Sequence, residues 1–272
     1  MEKTLSIGPL AVPMELAVFF VAVIVALGVD ALFRRIRKTQ GESPLFTILM
    51  VAVVVSRIAF VTMYLDEYMQ TPWKIVDFRD GGFSPLAGML AGAATAGWYF
   101  IRQMGGRATL VVSIALGALA WAAGTLVLTA GREDAAGLPS ARFTALDGEP
   151  LELESFSGKP IVVNLWATWC PPCIREMPVL RDAQQKNKDI TFVFINQGES
   201  HATVSAFLQS RGLALSNVAL DPTMTAMRDW NAGALPTTVF LDATGRIADS
   251  RIGELSAATL SQRLAAIRTA GN

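Results

Sequence analysis

Before Arg132 the chain runs through four long apolar stretches, residues 13–33, 45–65, 84–101 and 109–130, and nothing else in it restricts the fold as much. Each approaches the roughly 20 residues that a helix needs to cross the hydrocarbon core of a bilayer, the third being the shortest. One such stretch would also suit a buried helix of a water-soluble core. Four in succession, separated by charged loops, predict an α-helical membrane domain with four transmembrane helices over residues 1–130. The third, SPLAGMLAGAATAGWYFI, is rich in Gly and Ala, which let helices approach closely in lipid. The first has no basic leader and is followed by RRIRK rather than by a small-residue cleavage site, so it reads as a retained span.

Basic residues set the orientation. Arg34, Arg35, Arg37 and Lys38 follow the first stretch, and Arg102 and Arg107 follow the third. The loop after the second carries two basic residues against four acidic ones. The positive-inside rule puts the first and third loops in the cytoplasm and both termini outside, which for a bacterial inner membrane is the periplasm. Everything after the fourth stretch is then exported. The chain's two cysteines both lie in one C-x-x-C, leaving no stray thiol, an economy suited to an oxidising compartment. Lys+Arg and Asp+Glu balance at 23 each, so there is no basic excess for nucleic acid to bind.

Residues 131–141 have the small, polar, Pro/Gly content of a linker, and residues 142–272 change character. ARFTALDGEPLELESF reads as strand–turn–strand with Asp147 and Gly148 at the turn. PIVVNLWA and DITFVFIN are continuous apolar runs typical of buried strands. A helix to about Lys186 separates them, and ATVSAFLQSRG is a helix closed by Gly212. NVALD is a short strand, TMTAMRDWN a short helix, TTVFLD and IADSRIG a hairpin around 243–245, and AATLSQRLAAIRTA a closing helix. Strands alternating with helices make an α/β domain, with the cysteines at the carboxyl end of a strand, where such sheets bind ligands.

A C-x-x-C pair suits zinc or redox chemistry. Structural zinc takes four ligands, and besides two cysteines this chain has one distant histidine, His201, at the start of a helix. Redox chemistry fits the setting. Cys170 opens a helix, whose unpaired N–H groups and dipole stabilise a thiolate. Cys173 lies one turn on, close enough to resolve a mixed disulfide, and Pro171 and Pro172 stiffen the pair without losing a helical hydrogen bond. The expected cofactor is therefore none beyond the Cys170–Cys173 couple itself.

NLWATWCPPCIREMP resembles the thioredoxin superfamily, and more narrowly the membrane-tethered TlpA/ResA/CcmG reductases, through Trp169, Cys170, Cys173, Glu176 and Pro178. The resemblance implies a thioredoxin-like fold over residues 142–272, with Cys170 and Cys173 as the catalytic pair. It implies that Pro236 in ALPTT is a cis proline and that Trp169, Leu235, Pro236 and Thr237 face the substrate. The superfamily's buried aspartate, six residues before the first cysteine, is Asn164 here, which cannot act as a base. Glu176, one turn after Cys173, is the alternative proton carrier; a solvated helix residue is the plainer reading. The implied substrates are disulfides of periplasmic proteins, as in cytochrome c biogenesis, with a reductase favoured over an oxidase or isomerase. Because the apolar half has no cysteine, electrons would come from a separate membrane protein of the DsbD/CcdA type.

Arg57 lies inside the second apolar stretch, where a charge costs at least about 2.5 kcal/mol unless it snorkels, pairs with an acid on a neighbouring helix, or meets a lipid headgroup. Residues 56–92 resemble part of the prolipoprotein diacylglyceryl transferases through Arg57, Pro72, Gly81, Gly82, Ser84 and Gly88. Leu86 stands where that family has a histidine, Ala87 replaces a glycine, and the later arginine-bearing part of the enzyme has no counterpart. Lipid transfer is therefore not expected, and membrane lipid enters as a partner of the four-span domain. A docking module with a merely structural disulfide is the remaining alternative.

Overall fold

The computed structural model describes residues 4–7, 10–37, 43–69, 71–102, 107–130 and 142–269, so the linker at 131–141 falls outside the described residues. Strands β1 (Thr4–Ile7) and β2 (Leu10–Pro13) pair antiparallel and lead into helices α1 (Met14–Arg37), α2 (Pro44–Met63), α3 (Leu65–Met69), α4 (Pro85–Arg102) and α5 (Arg107–Ala130). The second half runs β3 (Arg142–Ala145), β4 (Pro150–Glu152), β5 (Ile161–Trp166), α6 (Pro171–Lys186), β6 (Thr191–Gln197), α7 (His201–Arg211), β7 (Val218–Asp221), α8 (Thr225–Asp229), β8 (Thr237–Leu241), β9 (Ile247–Ile252) and α9 (Ala257–Thr269). Two compact units result, residues 14–132 and the remainder.

In the helical unit α1 packs on α5 and α2 on α4. Small residues bring the axes together: a Cβ on Gly88 would stand 3.0 Å from the Ala52 carbonyl oxygen and from Ser56 Cβ. Three of the described helices, α1, α2 and α5, are long and apolar enough to cross a membrane. Helix α4 forms where the third span is expected but has 18 residues, is diluted by Gly, Trp98 and Tyr99, and ends on Arg102.

Arg57 pairs with an acid, Asp80, which closes the short 3-10 helix Phe78–Asp80. It is 5% exposed, and its Nη1 lies 3.0 Å from Asp80 Oδ1, in the connection between α2 and α4. Nη1 also donates to the Gly82 carbonyl at 2.7 Å, Nη2 to those of Lys74 and Asp77, and Nε to that of Ile75. All five guanidinium N–H groups are thus used, and an arginine has no sixth to offer a lipid.

The second unit is built on a seven-stranded sheet of order β4-β3-β7-β6-β5-β8-β9. Its centre, β5, β6 and β7, is parallel, and β8, β9 and β3 run antiparallel to their neighbours. Strand β5, IVVNLW, is buried at every position because helices cover both sheet faces, as its unbroken apolar run requires. One apolar cluster holds Trp166, Phe192, Phe194, Phe240, Met177 and both cysteines; the other holds Leu153, Val163, Val193, Ile195 and Trp230. Asp147 and Gly148 make the β3–β4 turn, with Gly148 at φ 88°, which favours glycine.

Candidate functional site

Strand β5 ends at Trp166, and four residues later the chain enters α6 with Cys170 as its N-cap. Pro171 and Pro172 fill the first helical positions, where the missing N–H would have had no partner. Cys170 and Cys173 are joined in a disulfide, S–S 2.03 Å, with Cα atoms 5.3 Å apart. The Cys173 N–H points at Cys170 Sγ, 3.3 Å away. In the reduced protein that donor and the helix dipole would act on a thiolate at Cys170. Cys170 is 3% exposed and Cys173 fully buried, whereas the Trp169 ring stands in the open beside them.

Strand β8 runs antiparallel to β5 with Thr237 opposite Leu165, which carries the preceding residues to the same sheet edge as the cysteines. The Leu235–Pro236 peptide bond is cis. Leu235 packs against the cluster containing the cysteines. The Pro236 carbonyl accepts the Gly253 N–H at 2.8 Å, and the buried Thr237 hydroxyl donates to the Ala234 carbonyl at 2.6 Å.

Glu176 is not a solvated helix residue. It is fully buried one turn after Cys173. Its Oε1 accepts Asn164 Nδ2 at 2.8 Å and its Oε2 accepts the Leu255 N–H at 3.0 Å. Burial pushes the carboxyl up to about 8; the two N–H donors and Arg251 pull the other way, and the charge of Glu254 adds to the rise. Desolvation of the charged form wins because two neutral donors replace only part of a carboxylate's hydration. Asn164 thus occupies the aspartate position as a positioning amide, while the acid comes from α6. Its Nδ2 also donates to Thr238 Oγ1 at 3.0 Å, and its Oδ1 has no partner among the described residues.

Glu199, just beyond β6, carries a role that the sequence does not announce. Its carboxylate accepts the Thr168 N–H at 2.7 Å, the Thr168 hydroxyl at 2.5 Å and Asn196 Nδ2 at 2.7 Å. The loop that delivers Trp169 and Cys170 is therefore tied to the neighbouring strand. His201 is exposed, with Nε2 2.9 Å from the Leu146 carbonyl oxygen, and no three His, Cys, Asp or Glu side chains among the described residues gather as metal ligands would.

Comparison with known proteins divides the chain at the same place. The Redoxin family model matches residues 133–266, and that of prolipoprotein diacylglyceryl transferase matches residues 3–132. Thiol-disulfide oxidoreductase ResA of Bacillus thuringiensis (strain Al Hakam) is 31% identical over 118 residues, covering 43% of this chain and 68% of the relative. Thioredoxin-like protein YneN of Bacillus subtilis (strain 168) is 31% identical over 130 residues, 46% of this chain and 75% of the relative. A thioredoxin-family thiol:disulfide interchange protein from Chlorobium tepidum, of known structure, is 27% identical with a TM-score of 0.44, covering 52% of this chain and all of its own. Through its C-terminal half this chain belongs to the ResA-like thiol-disulfide oxidoreductases, enzymes with a thioredoxin-like fold and a paired-cysteine centre.

Proposed function

We propose that the protein is a membrane-anchored reductase of disulfides in exported proteins, with four spans, α4 being the short one, and with the redox unit on the periplasmic side. The carrying observation is the pairing of a disulfide at the head of α6 with a buried carboxyl one turn further on. In the reduced protein the Cys170 thiolate attacks a substrate disulfide, forming a mixed disulfide and expelling one substrate thiolate. Glu176, in its ionised form in the mixed disulfide, takes the proton of Cys173, whose thiolate then attacks Cys170 Sγ and releases the second substrate thiolate. The oxidised protein is left with a neutral Glu176, which is the state its raised pKa favours. Turning the Asn164 amide over would let its Oδ1 accept both the new Glu176 O–H and the Thr238 hydroxyl, which now accepts from Nδ2. Trp169 and the Leu235–Thr237 edge form the seat for the substrate chain. Electrons return from a separate membrane dithiol protein of the DsbD/CcdA type.

Direction and mechanism are tested together by replacing Cys173 with Ala in cells and identifying what is captured on Cys170. A reductase accumulates mixed disulfides with exported proteins without any added oxidant, because the Cys170 thiolate attacks a disulfide already present in the substrate. Capture that instead requires an oxidant reverses the direction, and the absence of any adduct rejects exchange through Cys170.

A further inference from the structure

We propose that the connection between α2 and α4, residues 64–84, lies in the interfacial layer of the lipid bilayer rather than in water, with Arg57 as its internal post; this rests on the membrane-spanning reading above. The segment is organised around a buried ion pair: Arg57, and Asp80, whose carboxylate also accepts the Tyr68 hydroxyl at 2.7 Å and the Gly82 N–H at 3.0 Å. Four of its carbonyls, those of Lys74, Ile75, Asp77 and Gly82, are taken by the one guanidinium. Its own turns satisfy the N–H groups of Thr71, Lys74, Asp77 and Gly81, and Ser84 N–H reaches back to the Ser56 carbonyl on α2. In water, solvent would satisfy these groups; irregular backbone at membrane depth survives only where protein satisfies them.

The segment's exterior carries large apolar side chains beside the charged Asp66 and Arg79. Met69, Trp73, Val76 and Phe78 are 62%, 64%, 72% and 60% exposed. In the chain they lie between Met63 at the end of α2 and Leu86 and Met89 at the start of α4, which are exposed too. The segment is joined at both ends to helices with exposed apolar side chains, so a bilayer that covers those ends reaches the loop. Cations remain at its edge: Lys74 Nζ lies 5.8 Å from the Trp73 ring centre, and Arg79 is open to solvent. A tryptophan beside a lysine suits the headgroup level, where an apolar ring and a polar tip are both accommodated.

The test uses tryptophan quenching in the full chain, reconstituted in vesicles whose phosphatidylcholine is brominated either high on the acyl chain or near the bilayer centre. A Trp98→Phe/Trp121→Phe variant keeps Trp73 as reporter, and a Trp73→Phe/Trp98→Phe variant keeps Trp121, midway along α5. The triple variant supplies the background of Trp166, Trp169 and Trp230. All three replaced rings are more than half exposed, so phenylalanine leaves the packing in place. Trp73 should be quenched about two-fold more by the shallow bromines than by the deep ones, and Trp121 the reverse, as interfacial and central depths require. Quenching of Trp121 without Trp73 overturns the proposal while sparing the spans, and would point to water or a protein partner around the loop. Deepest quenching of Trp73 places the segment in the hydrocarbon core and also overturns it. If neither ring is quenched, the spanning reading falls and takes the proposal with it.

Discussion

Arg57 and Glu176 are both ionisable and both buried, one in each unit, and their surroundings differ in one respect. Arg57 has an acceptor for each of its five N–H groups. Glu176 has two donors for a carboxylate with about four acceptor sites, so its charged form is poorly compensated. A buried charge that is saturated fixes structure. One that is left short can change its protonation state, and that is what thiol exchange asks of a group next to a resolving cysteine.

The largest expected effect sharpens this contrast. A carboxyl raised to about 8 from 4.5 is protonated in the folded state over a pH window where the unfolded chain is ionised. The folded state then holds one more proton, so stability falls as pH rises from about 4.5 to 8, by roughly 5 kcal/mol in all, and levels off above. In Glu176→Gln that slope should vanish, and exchange should slow by about 10²–10⁴ with loss of the limb near pH 8. Denaturant unfolding of the oxidised protein against pH checks the first effect, and stopped-flow exchange the second. A Gln variant with the wild-type pH slope would remove the distinction drawn here.

Arg57→Ala should destabilise the helical unit by about 3–5 kcal/mol, because Asp80 stays buried without its cation. Lysine should not rescue it, since three donors cannot serve five acceptors. Trypsin cutting at Lys74 and Arg79 reads this out, and exchange at Cys170 should be unchanged. Gly82→Ala is expected to lose about 1–3 kcal/mol in the same assay through crowding, as its Cβ would fall 2.5 Å from Phe60 Cε1 and 2.7 Å from Arg57 Nη1. Smallest is Thr168→Val, which removes one hydroxyl bond to Glu199 and about 1 kcal/mol from the redox unit, measured by thermal unfolding.

What was legible in the sequence was local or periodic. The strand runs IVVNLW and TFVFIN, the Asp147-Gly148 turn and the proline-led helix after Cys170 each carry their signal within a few residues, and each forms. The third apolar stretch marks a helix, but its span depends on how much Gly, Trp and Tyr a bilayer tolerates, which a count of apolar residues does not weigh. Asp80 as partner to Arg57, 23 residues away, and Glu199 as brace to Thr168, 31 residues away, were not legible. Both are polar residues in connecting segments whose roles exist only once distant elements meet. Glu176 lay between the two cases: its helix and phase were readable, its enclosure by Asn164 and Leu255 was not.

Gly253 and Leu255 leave one further consequence. Within three residues the chain donates an N–H to the Pro236 carbonyl and another to the Glu176 carboxylate. The rim that would seat an incoming polypeptide and the acid that stores its proton thus share a single short strap. Adding one residue to that strap would force a choice between the two anchors, so its length is set by chemistry on both sides and tolerates less change than an ordinary surface turn.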